Sequence, residues 1–459
     1  MRLALLALPF ALLAAGCGGS SDDAAPAKPA WSVTGGFVRA PDGRAALLRG
    51  ANLADAHKDR PYLGFHEPKD YQALVDVWGM NTIRFLVIWA AIEPEKGKYD
   101  EGYLDRVAER VGWARDAGLH VVIDMHQDVY GEGFGSDGAP RWTCDEARYE
   151  AFEPREQWFF NYLDENVQAC IDDFYASAEL QDHYAEAWRR VAARLKDDPA
   201  VVGFDVMNEP HWGSATIGDF EAQRLQPFYE KIVRAVRRVA PGWLAFLEPS
   251  ASRNLGFATG LQPFPFEGVV YSPHSYNSAA EQGNGFSSSA RTALLNNVAH
   301  LADEARELGA ALWIGEYGGT TGSDGITEYM NANYDAAGAV AAANAYWSYD
   351  RGDGGYGMLQ ADGTPKPVLL DVLVRPVPEY VAGDPISFEY DVTTRRFTFS
   401  WRPDARIDAP TVLTVPARVY PNGYDVDCDG CETEADGAKL TVTTAPRGEP
   451  AVITLRARP

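Results

Sequence analysis

The sequence predicts an eight-stranded parallel β/α barrel followed by a small antiparallel β-sandwich. Three observations carry this reading. From about residue 46, short runs rich in β-branched and aromatic residues alternate with amphipathic helical patterns over roughly 330 residues, the span of a TIM barrel. No Gly-rich dinucleotide fingerprint follows an early strand, which argues against an open doubly wound sheet. After Arg375 the helical patterns stop, and short alternating runs separated by turn residues take over. At 459 residues the chain is long enough for one barrel and one smaller domain.

Residues 1–17 are expected to be a leader outside the fold. Arg2 supplies a positive start, and Leu3–Leu13 is apolar but too short to span a bilayer. Ala14-Ala15-Gly16-Cys17 resembles a lipoprotein cleavage site with Cys17 as the lipidated residue; an ordinary secretory cleavage nearby is the alternative. Residues 18–34 read as a flexible tether, small, polar and Pro-bearing. On either alternative the chain is exported, to a bacterial cell surface or membrane by its lipid, or beyond. Export makes the other four cysteines disulfide candidates, paired locally as Cys144–Cys170 and Cys428–Cys431. Neither pair has a histidine at zinc spacing, so no metal and no cofactor are expected.

The barrel is assigned to residues 35–375. Its strands are expected at 47–53, 81–89, 120–126, 201–208, 244–248, 268–275, 312–317 and 345–349. Helical patterns lie between them at 103–117, 180–195, 220–239, 290–308 and 327–342, and a last helix over 367–374 closes the domain. Residues 127–180 show no clear barrel element and carry Trp142, Trp158, Phe159 and Phe160. A connection of that length suits the active face of a barrel. The sandwich is assigned to 376–459, with strands at 386–392, 396–401, 411–416, 439–444 and 451–456. Within it, Asp425, Asp427, Asp429 and Asp436 have the spacing of a calcium loop. The strand-like flanks and the two cysteines around Gly430 favour a stapled acidic hairpin instead.

The chemistry lies in two glutamates. Glu209 closes the run Val-Val-Gly-Phe-Asp-Val-Met-Asn-Glu-Pro (201–210), and Glu316 closes Leu-Trp-Ile-Gly-Glu-Tyr-Gly (312–318). A carboxylate at the end of a buried strand gains little for folding, because burying its charge costs several kcal/mol unless it is paired. Two structural caps would be the plainer explanation. Asn208 before one glutamate and Tyr317 after the other, in a chain rich in Trp and Tyr, point instead to glycoside hydrolysis. That reaction needs one carboxyl to protonate the leaving oxygen and another to attack or to activate water. Other polar residues fall at strand ends: Lys58 after the first, Arg84 on the second, His126 and Asp128 after the third, His274 and Tyr276 after the sixth, and Trp347 on the eighth. Arg84 and Tyr276 are candidate partners for an ionised nucleophile, and Trp347 could stack on a sugar ring.

Asn208-Glu209-Pro210 on the fourth strand with Glu316 on the seventh resembles clan A glycoside hydrolases, specifically family 5. His126-Gln-Asp128-Val-Tyr130, Gly138-Ala-Pro140-Arg-Trp142, Lys58 and Tyr420-Pro-Asn-Gly-Tyr424 are similar to endoglycoceramidases within that family. The resemblance covers roughly residues 35–459 and implies a barrel followed by a β-sandwich. It implies Glu209 as acid/base and Glu316 as nucleophile of a retaining endo-β-glycosidase that separates glycan from ceramide in glycosphingolipids. Lys58, His126, Asp128, Asn208, Tyr276 and Trp347 would then hold the sugar at the scissile bond, with Arg84 and His274 beside them.

Two rival readings stay open at this point. One is a family 5 endo-β-glucanase, mannanase or other β-glucosidase acting on non-lipid glycans. The other is a surface lipoprotein that binds glycans without cleaving them. The net charge of −24 excludes nucleic acid as a partner and disfavours adsorption to anionic headgroups. A monomer is expected.

Overall fold

The computed structural model describes residues 30–459 except 282 and 446, with the side chain of Asp55 also left out. Residues 1–29, and with them the expected leader and Cys17, lie outside the described residues. Three short strands come first: β1 (Ser32–Thr34), β2 (Phe37–Arg39) and β3 (Ala45–Ala46). The barrel strands are β4 (Gly50–Leu53), β5 (Thr82–Ile88), β6 (His120–His126), β7 (Val201–Asp205), β8 (Leu244–Leu247), β9 (Val269–Tyr271), β10 (Ala311–Tyr317) and β11 (Ala343–Tyr346). Neighbours pair in parallel, and the barrel closes where Ala345 and Tyr346 of β11 lie beside Gly50 and Ala51 of β4. Gly50 is needed there, since a Cβ would stand 1.7 Å from the carbonyl oxygen of Thr82.

The surrounding helices follow from spacing and caps. In Glu101–Ala117 the buried Leu104, Val107, Val111 and Ala114 recur every three or four residues. The Asp100 side chain accepts the Tyr103 N–H, and Gly118 ends the helix at a φ of 83°. Ala178–Leu195 starts where the Ser177 hydroxyl accepts the Leu180 N–H, and it buries Tyr184, Trp188, Val191 and Leu195 against the strands. Pro68–Asp76 escaped the periodicity reading, although Glu67 and Asp70 form a capping box around Pro68. The 127–180 connection also holds more structure than expected. It contains helices Glu146–Ala151 and Glu165–Ala176, and the Cys144–Cys170 disulfide joins the segment before the first helix to the second.

The expected strands 201–208 and 268–275 are shorter, ending at Asp205 and Tyr271. Beyond those points the backbone leaves the ladder to enter the site. Glu209 takes a φ of 39°, and the Ser275 N–H bonds the Glu316 carbonyl.

The C-terminal strands are β12 (Val377–Val381), β13 (Gly383–Asp391), β14 (Arg396–Pro403), β15 (Thr411–Thr414), β16 (Tyr424–Asp427), β17 (Cys431–Asp436), β18 (Lys439–Thr444) and β19 (Ala451–Ala457). They form two sheets, β1-β2-β3-β12-β15-β18-β17 and β13-β14-β19-β16. The first sheet corrects the boundary placed at residue 35. The segment 32–46 belongs with the sandwich, because β3 covers the otherwise unpaired backbone edge of β12, with Ala46 opposite Tyr380. A second correction concerns the acidic segment. β16 pairs with β19 in one sheet and β17 with β18 in the other, so 424–436 is a crossover between sheets rather than a hairpin. The Cys428–Cys431 disulfide spans that crossover. Asp425 and Asp427 are paired with Arg458 and Arg456.

The sandwich packs on the barrel at the helix Ile326–Ala339, where Phe388 meets Tyr334, and at the N-terminal end, where Tyr380 meets His120. Phe397, Phe399 and Trp401 share one apolar cluster with Val122, Val202, Leu244 and Val270 from the lower barrel interior. The opposite, C-terminal rim is left for chemistry.

Candidate active site

The barrel interior beneath that rim is built around a cation. Arg84 on β5 has no exposed surface, and its guanidinium lies 3.0 Å from Asp124, 3.0 Å from Asp205, 2.8 Å from Glu248 and 2.6 Å from Glu316. It also donates to the side-chain oxygens of Asn52 and Asn208, at 3.1 and 3.0 Å. A planar fork with five donors suits such a ring of acceptors, as a lysine would not. Burial opposes the charge, but the surrounding carboxylates, Asp124 and Asp205 foremost, hold Arg84 well above its ordinary value. Burial and then Glu248 push Asp205 well above the usual carboxylate range, against the pull of Arg84. Arg84 was expected both as a partner for the nucleophile, which its bond to Glu316 matches, and among the substrate-binding residues. Its burial removes it from substrate and makes it the anchor of the acidic groups.

His274, also expected at the sugar, is buried between carboxylates instead. Its Nδ1 lies 2.9 Å from Glu209 Oε1 and 3.4 Å from Glu316 Oε2, and its Nε2 lies 3.2 Å from Glu248 Oε1. Burial disfavours an imidazolium, but Glu248 and Glu316 outweigh it and raise His274 well above the usual range. The carboxyl groups of Glu209 and Glu316 thus meet around one nitrogen, with an oxygen of each within 4.8 Å of the other. Carboxyls about 5–5.5 Å apart give retention at the anomeric carbon, and about 6.5–9.5 Å inversion. So close an approach of the two carboxyls favours the first class.

Their surroundings separate the two glutamates. Glu316 Oε1 accepts from Arg84 at 2.6 Å, and Oε2 accepts from the Tyr276 hydroxyl at 2.8 Å. Glu209 Oε1 accepts from Asn254 Nδ2 at 2.7 Å and from His274, whereas its Oε2 meets no donor among the described residues. Charge balance and donor pattern pull in opposite directions. Burial raises both carboxyls; the His274 hydrogen bond and charge bring Glu209 below the ordinary glutamate value, while Glu316 stays above it despite His274 and Arg84. The donor pattern favours a proton on Glu209 over one on Glu316. Arg84 has no lone pair to receive a proton from Glu316, and the open oxygen of Glu209 can carry one. Tyr276, expected both as a partner for the nucleophile and at the sugar, donates to the Glu316 carboxylate.

Lys58, His126, Asp128 and Trp347 form the other wall. Lys58 Nζ lies 2.5 Å from Asp128 Oδ2 and 4.5 Å above the Trp347 ring. His126 stacks on the same ring at 5.4 Å and 21°, with Nδ1 held 2.7 Å from Asp124 and Nε2 3.7 Å from Asp128. Burial opposes its charge, but Asp124 prevails and lifts His126 to about 10. Behind Asp128, burial and then the Asp128 charge raise Asp137 to about 7. Asn208 uses its oxygen on Arg84 and one amide hydrogen on the Gln127 carbonyl at 3.2 Å, leaving its second amide hydrogen for a sugar hydroxyl.

Among the described residues, three clusters bring carboxylates, two of them with an imidazole, within reach of one ion: His126–Asp128–Asp137, Glu209–His274–Glu316 and Asp124–Asp205–Glu248. Protein cations already fill that role. Lys58 lies on the first, the His274 imidazolium is part of the second, and Arg84 lies on the third.

Sequence reasoning missed Glu248, Gln127 and Asn254. Glu248 had a signal, since Leu247-Glu248-Pro249 ends β8 as Asn208-Glu209-Pro210 follows β7. Gln127 lay inside a quoted motif without a role; its amide donates to the carbonyls of Asn208 and Glu209. Asn254 sits in an irregular loop and had none.

The family profile described as Cellulase (glycosyl hydrolase family 5) matches residues 42–353, and that of the Glycoside hydrolase family 5 C-terminal domain matches 375–455. The chain belongs to glycoside hydrolase family 5. Among its family 5 relatives, endoglycoceramidase I of Rhodococcus hoagii (strain 103S) is 28% identical over 441 residues, covering 90% of this chain and 85% of the relative. Endo-glycoceramidase II from Rhodococcus sp. in complex with ganglioside GM3 is similar at 32% identity and a TM-score of 0.84, over 93% of this chain and 100% of that one. The lactosyl-enzyme intermediate of the same Rhodococcus enzyme matches at 32% identity and a TM-score of 0.82, over 92% and 100%. In this family 5 hydrolase the strand-end glutamates and the buried arginine therefore stand in a barrel and sandwich like those of enzymes with related chemistry.

Proposed function

We propose that the protein is a retaining endo-β-glycosidase that cleaves the bond between glycan and ceramide in glycosphingolipids. The observation that carries the lipid part is an exposed apolar surface beside Glu209. Trp158, Phe159, Phe160 and Leu163 on one flank, and Leu255 and Phe257 on the other, are 42% to 66% exposed. Both flanks are tied to the glutamate. Tyr162, within the same 3-10 turn as the first group, stacks at 4.4 Å on His211, and Asn254, next to Leu255, donates to Glu209 itself. The proton donor stands on the leaving-group side, so this is where the aglycone emerges. Large apolar side chains left exposed on both flanks of a catalytic rim suit an apolar aglycone. Trp142, also a candidate for this surface, is turned inward, its indole N–H on the Glu93 carbonyl at 3.0 Å. The ganglioside-bound relative supports the same substrate class.

The reaction follows from the donor pattern. Glu316 Oε attacks the anomeric carbon as the glycosidic bond breaks, and the departing oxygen takes the proton of Glu209, releasing ceramide. Esterification removes the Glu316 charge, which had favoured the protonated form of Glu209, so Glu209 becomes a base. It then takes a proton from water, whose oxygen attacks the anomeric carbon and frees Glu316 and the β-configured glycan. Lys58, Asp128 and the remaining amide hydrogen of Asn208 bind hydroxyls, and the Trp347 ring lies under the sugar.

Export, lipidation at Cys17 and a monomeric state belong to the same proposal. Support comes from the leader-like residues 1–17 and from two disulfides, which persist in oxidising compartments.

The deciding experiment compares glucosylceramide, lactosylceramide and gangliosides of graded acyl length with soluble cello- and manno-oligosaccharides. Each methylene in contact is worth about 0.8 kcal/mol, so kcat/KM should fall as the chains shorten. Faster cleavage of a soluble oligosaccharide, with no effect of chain length, would leave the family and remove the lipid.

A further inference from the structure

We infer that Glu248 is a positioning residue for proton donation, fixing both the backbone of Glu209 and the imidazole that bears on its carboxyl. The inference rests on Glu209 being the acid of the reaction above. Glu248 is 2% exposed at the end of β8 and directs each oxygen to a different part of the apparatus. Its Oε2 accepts the Glu209 N–H at 2.9 Å, and its Oε1 accepts from Arg84 at 2.8 Å and lies 3.2 Å from His274 Nε2.

The backbone contact matters because Glu209 is a non-glycine residue at a φ of 39°. Such a conformation costs on the order of 1 kcal/mol and persists only when its surroundings over-determine it. Here the peptide unit is held from two sides. Gln127 donates to the carbonyls of Asn208 and Glu209 at 2.8 and 3.2 Å, and Glu248 takes the N–H.

The imidazole contact fixes a charge state. Both nitrogens of His274 face carboxylates, Glu248 on one side and Glu209 with Glu316 on the other. A neutral ring would turn a lone pair toward one of them, so carboxylates on both sides favour the doubly protonated form over burial. Glu248 is itself braced. The Tyr229 hydroxyl donates to its carbonyl at 2.8 Å, and Glu221 accepts the N–H of Ser250 at 2.6 Å. A purely structural role as counter-ion to Arg84 is a weaker account, because Asp124, Asp205 and Glu316 already surround that guanidinium.

The test uses aryl β-glycosides with leaving groups of graded acidity, assayed with the whole enzyme and with Glu248→Gln, Glu248→Asp and Gln127→Ala, alongside Glu209→Ala. Displacing the acid harms most the reactions that need protonation. Glu248→Gln should lower kcat/KM about a hundredfold on poor leaving groups, with KM changed less than about twofold and little loss on dinitrophenyl glycosides. Glu248→Asp should recover part of the loss. Gln127→Ala, which frees the other side of the same peptide, should show the same slope more weakly, and it serves if Glu248→Gln fails to fold. Loss that is equal across leaving groups in the folded variants, or no loss, overturns the inference. A flat slope in Glu209→Ala would instead remove the acid assignment. Failure on glycolipids would strike only the substrate proposal.

Discussion

Arg84 on β5 reaches across the barrel to hold Oε1 of Glu316 on β10 at 2.6 Å. The same guanidinium serves Asp124, Asp205 and Glu248, all buried. Removing one member of a buried charged network leaves the others uncompensated, at a cost of roughly 3–5 kcal/mol. Arg84→Met is therefore expected to lose about that much stability in urea unfolding. Arg84→Lys should recover only part of it, since an ammonium cannot address Asp205 and Glu316 from separate nitrogens. A variant as stable as the parent would remove Arg84 from its place as the anchor.

Glu316→Ala should abolish hydrolysis of every β-glycoside, and azide should restore turnover while yielding the α-glycosyl azide. Glu209→Ala should keep activity on substrates with good leaving groups and, with azide, yield the β-azide. The configuration of the azide product, read by NMR, separates the two roles. Proton NMR of the first product of the unaltered enzyme should show β glycan before mutarotation.

Asp137 predicts a pH dependence of stability. Burial and Asp128 raise its carboxyl from 3.8 to about 7 in the folded protein. Between those values the folded state keeps a proton that the unfolded chain has lost, so stability falls as pH rises through this window. Asp137→Asn removes the titration. The difference in Tm between variant and parent should grow in favour of the variant from pH 4 to pH 8 and level off above. A constant difference would show that Asp137 titrates normally.

The Cys144–Cys170 disulfide closes a loop with a sequence separation of 26 and fastens the connection that carries the exposed aromatics. Replacing both cysteines by serine should cost roughly 3 kcal/mol, measured by urea unfolding. The Cys428–Cys431 bridge, with a separation of 3, should matter less. Peptide mapping without reduction should return these two cross-links.

The apolar flank yields a split in kinetics. Trp158→Ser with Phe159→Ser should raise KM for a glycolipid presented in neutral vesicles several-fold, through lost apolar burial, while a soluble aryl glycoside is turned over as before. An equal effect on both would place these residues in the folding of the loop.

Much of the site was legible because strand ends have a signature. Short apolar runs stopping at Glu209 and Glu316 announced carboxylates that folding alone would not retain, and Lys58, His126, Asp128 and Trp347 meet on the opposite wall. Depth inside the barrel was not legible. Arg84 and His274 look like substrate ligands in one dimension, since side-chain type says nothing of which layer of the barrel a residue occupies. Glu248 carried the same Glu-Pro ending as Glu209 but lacked the preceding asparagine, and so drew no notice. Pairings over long separations were the other blind spot. Nothing local to Ala45 and Ala46 tells that their partners are Val381 and Tyr380, or that β16 and β17 part company into different sheets.

The stitching of residues 32–46 into the sandwich sets where the described chain begins relative to the cleft. The chain enters where Trp31 packs edge-on against His120 at the start of β6, at the pole of the barrel remote from the two glutamates. Substrate can therefore reach the rim without passing the point where the described chain begins, and an attachment at that pole would leave the cleft and its aromatic margin free.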